Sequence, residues 1–277
     1  MRRRFLLAFV LLAFTSQLQA ANAGKILVDE ARLYGRDALG LVRAPLGWDA
    51  ATWRKVGILA AADGAAFASD DHIARLVQRN RNSTTDDIAG AVTQLGGGRA
   101  LQLSAATLLA GFLTHNPQMR DTGRDAVEAS ILAAGVVTPA IKRIVGRSRP
   151  NAGEGAYAFD PLGNAESFPS GHATNAFAVA SVFAAHAHGW LVPTIAYSLA
   201  TTVAAARVND NVHFTSDVIA GAAIGTMIGR SIVARHRQAA ASTPAPAVTW
   251  SLAPMTRGLA IQILVPPSRI VHALARR

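Results

Sequence analysis

Residues 169–187, PSGHATNAFAVASVFAAHA, decide the fold class. Ser170 and Gly171 are typical of a helix start, and the run that follows is dominated by alanine and contains neither Gly nor Pro. Such a run favours an α-helix over a strand. Similar patterns predict helices at 51–69, 99–114, 125–143, 172–187, 191–206 and 214–235. We therefore predict an all-α fold, a helical bundle with about six core helices.

Composition agrees with a helical domain and excludes several functions. About half of the 277 residues (51%) are hydrophobic and only 6% are aromatic, which suits a large core of closely packed helices. The absence of Cys excludes disulfides, thiolate metal sites and a cysteine nucleophile. The net charge is +10, yet no Lys/Arg run is interleaved with aromatic residues. We therefore expect no nucleic-acid partner.

The N-terminus has the pattern of a secretory signal. Three arginines follow Met1, and Phe5–Phe14 is an apolar core too short for the roughly 20 residues that cross a bilayer. Small residues that fit a signal-peptidase site follow at 18–20 and at 21–23. We predict a cleaved signal over 1–23, with an uncleaved membrane anchor as the alternative.

Gly and Pro residues, which interrupt helices and strands, mark the predicted boundaries in the rest of the chain. We predict a polar lead-in at 24–50, a helical domain at 51–237, and a linker and tail at 238–277. Within the domain, the charged stretch Asp70–Asp87 predicts shorter helices, one of them starting at 83–86. Three glycines at 96–98 predict a flexible joint. In the tail, strand-like residues around Pro254 and Gly258 predict a β-hairpin.

The predicted helices are short for membrane spans. Several have uncharged stretches shorter than the roughly 20 residues that cross a bilayer, and the first carries Asp63 near its middle. If the signal is cleaved and all the helices cross, the third would carry Lys142–Arg149 to the cytoplasm. We therefore expect an exported, soluble or peripheral protein of the periplasm. The alternative is an integral inner-membrane protein whose site faces the periplasm.

Three short segments carry chemistry suited to a small anion. At Pro169–His172, the free N–H groups of a helix start, the Ser170 hydroxyl and the close backbone approach allowed by Gly171 form an anion site, and His172 faces the same mouth. A plain capping turn is the alternative. Lys142 and Arg149 offer a point charge and a planar fork for phosphate oxygens, although basic residues at a helix C-terminus also serve as dipole partners.

The third segment offers a nucleophile. His213 and Asp217 are four residues apart, so on a helix they share one face, and the carboxylate can hold one ring nitrogen as N–H. The other nitrogen is then free to attack; a structural ion pair is the alternative. Arg207, just upstream, can complete an oxyanion clamp. We interpret the neighbouring Arg143 and Arg147 as solvated cations at a helix end.

In this order the segments resemble the type 2 phosphatidic acid phosphatase and vanadium haloperoxidase superfamily. The likeness rests on Lys142–Pro150, Pro169–His172 and Arg207–Asp217, and the helical pattern extends it over roughly residues 51–235. The sequence departs from the family at Ala206, where the family usually has Ser. The loss of one hydroxyl does not threaten the mechanism.

The resemblance implies a phosphatase that needs neither metal nor cofactor. His213 would attack phosphorus, Asp217 would orient it, and His172 would protonate the leaving group and then activate water. Five groups would bind the phosphoryl oxygens: Lys142, Arg149, Ser170, the Gly171 amide and Arg207. The implied partner is a phosphorylated lipid, isoprenoid or small molecule, with membrane association. The alternatives are a vanadate-dependent haloperoxidase and a non-catalytic phosphate-binding envelope protein.

Overall fold

The structure is a computed structural model that describes residues 20–242, 249–255 and 258–264, with side chains described over 28–242. The helices in chain order are α1 Ala20–Arg43, α2 Ala50–Asn80, α3 Ser83–Thr93, α4 Gly98–Leu113, α5 Pro117–Ser130, α6 Thr138–Val145, α7 Gly171–His186, α8 Leu191–Asn209 and α9 Thr215–Ser242. A π-helical segment, Ile131–Val137, joins α5 to α6. Short 3-10 turns lie at Ala44–Gly47 and Pro150–Ala152. The all-α prediction is confirmed.

The chain divides into two compact units, Met1–Val233 and Ala234–Arg277. The second contains strands β1 Thr249–Met255 and β2 Gly258–Leu264, which pair antiparallel with Met255 opposite Gly258. This is the stretch in which a hairpin is predicted. Most of the predicted signal lies outside the described residues, and the division at residues 23, 50 and 237 stays a prediction.

Three local expectations are corrected. The predicted lead-in is largely the helix α1, because Ala38 and Leu41, three residues apart, pack one face of it against the core. Helix α2 continues through the charged stretch to Asn80. The cap of α3 is Asn82, not a residue of 83–86: its side chain accepts from the Thr85 amide and the Thr85 hydroxyl accepts from the Asn82 amide, both at 3.1 Å.

Helix α7 is the centre of the first unit. Most of its residues are buried on every side, as expected for a helix surrounded by others. The main core cluster joins it to the π-helical segment and α9 through buried side chains such as Leu132, Val182 and Ile232. A second cluster joins α7 to α8 around Val203. The central position of α7 fixes where its N-terminus, with Ser170 and His172, is presented.

Helix α9 approaches α7 with backbone against backbone. Gly221, Gly225 and Gly229 recur every four residues, and a Cβ added to Gly225 would lie 2.1 Å from the Thr174 carbonyl oxygen. Stripes of small residues at this spacing let two helices pack at close range. The contact brings the start of α9 beside the start of α7, where the Ser170 amide donates to the Asp217 carbonyl at 2.9 Å.

In the described ranges, α8 and α9 are long and apolar enough to cross a membrane. They have 19 and 28 residues, and only 28% and 50% of their most apolar windows are buried in the protein. Large apolar side chains of α8, among them Leu191, Ile195 and Leu199, are exposed. The argument that the apolar segments are too short to span a bilayer therefore does not hold for these two helices.

We expect Gly225→Ala to destabilise the protein by about 1–3 kcal/mol, because the added methyl group overpacks the α7–α9 contact. Gly64→Ala is the matched control: it also lies within a helix, nothing lies within 4 Å of its added Cβ, and alanine gains up to about 1 kcal/mol in helix propensity. Thermal unfolding of both purified variants measures the difference. Equal melting temperatures would contradict the close approach.

Candidate active site

The first motif turns sharply at the end of α6. Gly146 ends the helix in a left-handed conformation (φ 59°), and a Cβ there would collide with the Asp160 carbonyl oxygen at 1.8 Å. Lys142 therefore lies on the last turn of α6, and Arg149 lies beyond the helix. The Lys142 ammonium donates to the Glu166 carbonyl oxygen, and Arg149 lies 3.9 Å from the Glu166 carboxylate.

The second motif is the N-terminus of α7, as predicted. Ser170 is fully buried and caps the helix, accepting from the Ala173 amide at 3.5 Å. A Cβ on Gly171 would lie 3.4 Å from the Thr138 methyl and 4.0 Å from the Lys142 Cε. The helix start therefore faces Lys142 on α6.

His172 is surrounded by positive charge. Burial, together with the charges of Arg207, His213, Lys142 and Arg149, lowers the pKa of His172 to about 4. These groups belong to the first and third motifs and His172 to the second, so the structure brings the three motifs together around His172. In the unliganded site this imidazole is neutral at pH 7.

The turn before α4, at Gly96 and Gly97, packs against His172. The Asn175 side-chain amide donates to the Gly96 and Gly97 carbonyls at 3.0 and 3.3 Å, and a Cβ on Gly97 would lie 3.3 Å from the His172 Nε2. A Cβ on Gly96 would lie 2.6 Å from the His172 carbonyl oxygen. The glycines predicted as a flexible joint are instead pinned by Asn175, and they allow the backbone to approach the imidazole.

In the third motif, His213 lies in the loop just before α9 and Asp217 in the first turn of that helix. The His213 Nδ1 is 3.6 Å from the Asp217 Oδ2, slightly long for a hydrogen bond, as is common in unliganded active sites. Burial lowers the pKa of His213, and the Asp217 carboxylate opposes this while Lys142 and Arg149 reinforce it. The ring is therefore neutral at pH 7 and carries a free electron pair.

The cationic side of the site has replaceable partners. Burial, reinforced by the charge of Arg149 and opposed by Glu166 and Asp217, lowers the pKa of Lys142 to about 8. Arg207, near the end of α8, donates to Asp210 at 2.9 Å and to the Thr93 hydroxyl at 3.1 Å. These contacts hold the cations in place without satisfying them as a phosphate would.

Residues 126–240 match the family model described as the PAP2 superfamily. The matched segment contains all three motifs. Two curated relatives are named lipid A 1-phosphatase: one from Rhizobium etli is 38% identical over 101 residues, and one from Rhizobium johnstonii is 36% identical over 101 residues. Each alignment covers 35% of this chain, and it spans only 43% and 41% of the two relatives.

One solved structure supports the fold. The chain is similar to the crystal structure described as the first transmembrane PAP2 type phosphatidylglycerolphosphate phosphatase, from Bacillus subtilis, with a TM-score of 0.51 and 24% identity. That match covers 65% of this chain and 92% of the other. A second match, LpxE of Aquifex aeolicus, has a TM-score of 0.46 and 25% identity, covering 60% of this chain and 94% of the other.

Arg147, between Lys142 and Arg149 in the first motif, differs from its prediction. It is not a solvated helix-end cation but a fully buried side chain that forms ion pairs with Asp70 and Asp217 at 2.8 and 2.7 Å. Because Gly146 ends α6 in a left-handed turn, the chain directs Arg147 inward instead of along the helix surface. Arg143 is exposed, but it donates to the Gly163 carbonyl oxygen at 2.7 Å and so holds the loop beside the site.

Two contributions to the site come from outside the matched PAP2 segment. Asp70 on α2 reaches Arg147, and the turn at Gly96–Gly97 packs on His172. Ser167, inside the segment, donates to Asp217 at 2.5 Å, and it lies outside the three motifs. The only sequence signal for Asp70 is an acidic pair, Asp70-Asp71, inside a long helix.

Proposed function

We propose that the protein is a metal-independent phosphatase that hydrolyses lipid or isoprenoid phosphate monoesters or diphosphates through a phosphohistidine on His213. The observation that carries this proposal is a buried, neutral imidazole beside a carboxylate, close to the two cations of the first motif, Lys142 and Arg149. The names of the curated relatives support phosphate-ester hydrolysis. Because the chain spans less than half of each relative, the activity itself needs a direct test.

The phosphate would bind where the cations converge. Lys142, Arg149 and Arg207 would exchange their resting contacts for phosphoryl oxygens, which accept charge-assisted hydrogen bonds more strongly than a carbonyl does. The Gly171 amide and the Ser170 hydroxyl at the α7 start would add neutral donors. Positioning and stabilisation of the equatorial oxygens supply most of the rate gain in phosphoryl transfer.

His213 would then attack through Nε2, since its Nδ1 faces Asp217. A P–N bond forms as the bond to the leaving oxygen breaks, and His172 gives that oxygen a proton. In the second half, His172 takes a proton from water, the water oxygen attacks phosphorus, and the P–N bond breaks to release phosphate. Asp217 stays ionised and holds the imidazole in one orientation throughout.

The low pKa of His172 fits this scheme only when substrate is bound. In the empty site its pKa is about 4, so it carries no proton to give at neutral pH. A phosphate dianion offsets the neighbouring cations and raises the pKa of the imidazole, because an opposite charge favours the protonated form. Substrate binding therefore favours protonation of His172, which can then act as the acid.

An apolar cavity supports a lipid substrate. It has a volume of about 590 Å³ and is lined mainly by apolar side chains of α2, α3, α7, α8 and α9. Ala206 and Val208, on either side of Arg207, and Val218, next to Asp217, belong to its lining. We propose that this cavity receives a hydrocarbon chain of the substrate. With α8 and α9 able to span a bilayer, we propose a membrane-embedded enzyme whose site faces the periplasm.

We expect His213→Ala to reduce phosphate release by about 10³-fold or more, because the nucleophile is lost. His188→Ala, an exposed histidine, is the matched control and should keep wild-type activity. Release of inorganic phosphate from lipid phosphates in detergent measures both, with and without a chelator. Substantial turnover by the alanine variant, or reversible loss of wild-type activity with the chelator, would reject the metal-free histidine mechanism.

We expect His172→Ala to impair alkyl phosphates about 10²-fold or more and aryl phosphates with good leaving groups much less, because only a poor leaving group needs the proton. Comparison of kcat for the two substrate types measures the difference. An equal loss for both would argue against the acid role.

We expect kcat/KM for an alkyl phosphate to fall as pH rises through about 8. Below that value Lys142 carries its charge, and above it the proton and the charge are lost. The substrate stays dianionic there, since its second pKa is about 6. Lys142→Arg, which remains charged, should move this alkaline limb upward. An unmoved limb would assign the titration to another group.

A further inference from the structure

The guanidinium of Arg147 is fully used by protein groups. Its Nη1 donates to Asp217 Oδ1 and Ser216 Oγ, both at 2.7 Å. Its Nη2 donates to Asp70 Oδ2 at 2.8 Å, and Nη2 and Nε donate to the Ala156 carbonyl oxygen at 2.9 and 3.0 Å. No donor is left for a phosphate, so Arg147 does not act by binding substrate.

This cation lies in a dry, aromatic environment between two carboxylates. Arg147, Asp70 and Asp217 are each 0% exposed, and the guanidinium carbon lies 4.3 Å from the Phe214 ring centroid. Removal of three charged groups from water costs more than their attraction commonly returns, so stability alone is a weak reason for such a cluster. Its fixed geometry is what an active site would need.

The cluster fixes the Asp217 carboxylate at both oxygens. Arg147 holds Oδ1, while the Ser167 hydroxyl and the Phe214 amide donate to Oδ2 at 2.5 and 2.8 Å. The same Oδ2 faces His213 Nδ1. The carboxylate therefore cannot rotate without breaking buried hydrogen bonds, each of which would leave an unsatisfied polar group.

Asp70 fixes Arg147 in turn. Its Oδ2 accepts from Arg147, and its Oδ1 accepts from the Ser216 amide at 3.0 Å. The Ser216 hydroxyl donates to Asp70 as well, so Asp70 holds the residue adjacent to Asp217 by backbone and side chain. Asp70, on α2, thereby holds Arg147 and Ser216, the two residues on either side of the Asp217 carboxylate.

We propose that Asp70 and Arg147 are positioning residues for His213, acting through Asp217. They hold the carboxylate so that His213 keeps its proton on Nδ1 and presents Nε2 to the phosphoryl group. The inference rests on the proposed function for its effect on turnover. Its effect on the His213 ring can be observed without turnover.

Asp70→Asn tests the inference with little change in shape. We expect kcat for a lipid phosphate to fall tenfold or more while KM stays within twofold, because the phosphate-binding cations are untouched. Asp71→Asn is the matched control: Asp71 anchors the same loop by accepting from the Ala156 amide at 3.0 Å, and Arg147 does not donate to it. Its kcat should stay within twofold of wild type. Equal kcat for the two variants would overturn the inference.

Histidine-selective ¹⁵N NMR supplies the readout without turnover, with the His213 signal assigned from His213→Ala. We expect Asp70→Asn to shift the His213 ring nitrogens toward a mixture of tautomers and Asp71→Asn to leave them unchanged. An unmoved signal in Asp70→Asn overturns the inference whatever its kcat. If the wild type releases no phosphate but the signal moves, the proposed function fails and the positioning role stands.

Ser216→Ala keeps the test decisive if Asp70→Asn does not fold. It removes one hydrogen bond from Asp70 and one from Arg147 but leaves the ion pairs in place. We expect a smaller effect in the same direction, a threefold or greater fall in kcat with KM unchanged and a shifted His213 signal. Wild-type kcat and an unshifted signal in Ser216→Ala would overturn the inference.

Discussion

The buried carboxylate of Asp217 is the group around which the active site is assembled. An ionised carboxylate that is 0% exposed must be matched by donors, since an unpaired buried charge would destabilise the fold severely. The donors come from separate parts of the chain: Arg147 after α6, Ser167 before α7 and the Phe214 amide before α9. The need to satisfy this one charge therefore draws the ends of three helices together. The glycine contact between α7 and α9 makes that convergence sterically feasible.

Convergence has an electrostatic consequence at the other side of the site. Burial, reinforced by repulsion from neighbouring cations, lowers the pKa of Lys142 to about 8 and that of His172 to about 4. A phosphate dianion bound as proposed would raise both pKa values, because an opposite charge favours the protonated forms. By linkage, the same interaction that raises the pKa of His172 on binding must strengthen phosphate binding when His172 is protonated. Under the proposed mechanism, substrate affinity and the protonation of His172 are therefore coupled.

Sequence reasoning found the residues that face the pocket and missed those that support them from behind. Lys142, His172 and His213 belong to short motifs in which residue types and spacing predict the chemistry. The sequence predicts a solvated Arg147 because a cation near a helix end is usually exposed to solvent. Its actual partner, Asp70, is 77 residues away in sequence. No local pattern encodes such a pair. Helix α1 was missed for a related reason: its polar composition conceals a narrow apolar face that acquires meaning only against the core.

The two sides of the site are built differently, and the difference follows from what each must do. Behind His213, the ion pairs formed by Arg147 are short and fully buried, so any rearrangement would leave buried charges unpaired. On the substrate side, the Arg149–Glu166 pair is 3.9 Å long and partly exposed. Contacts of that kind contribute about 0–1 kcal/mol, so a phosphate can displace them with little loss. A rigid support behind the imidazole and exchangeable partners on the cations together allow the phosphoryl group to enter without moving the atom that would attack it.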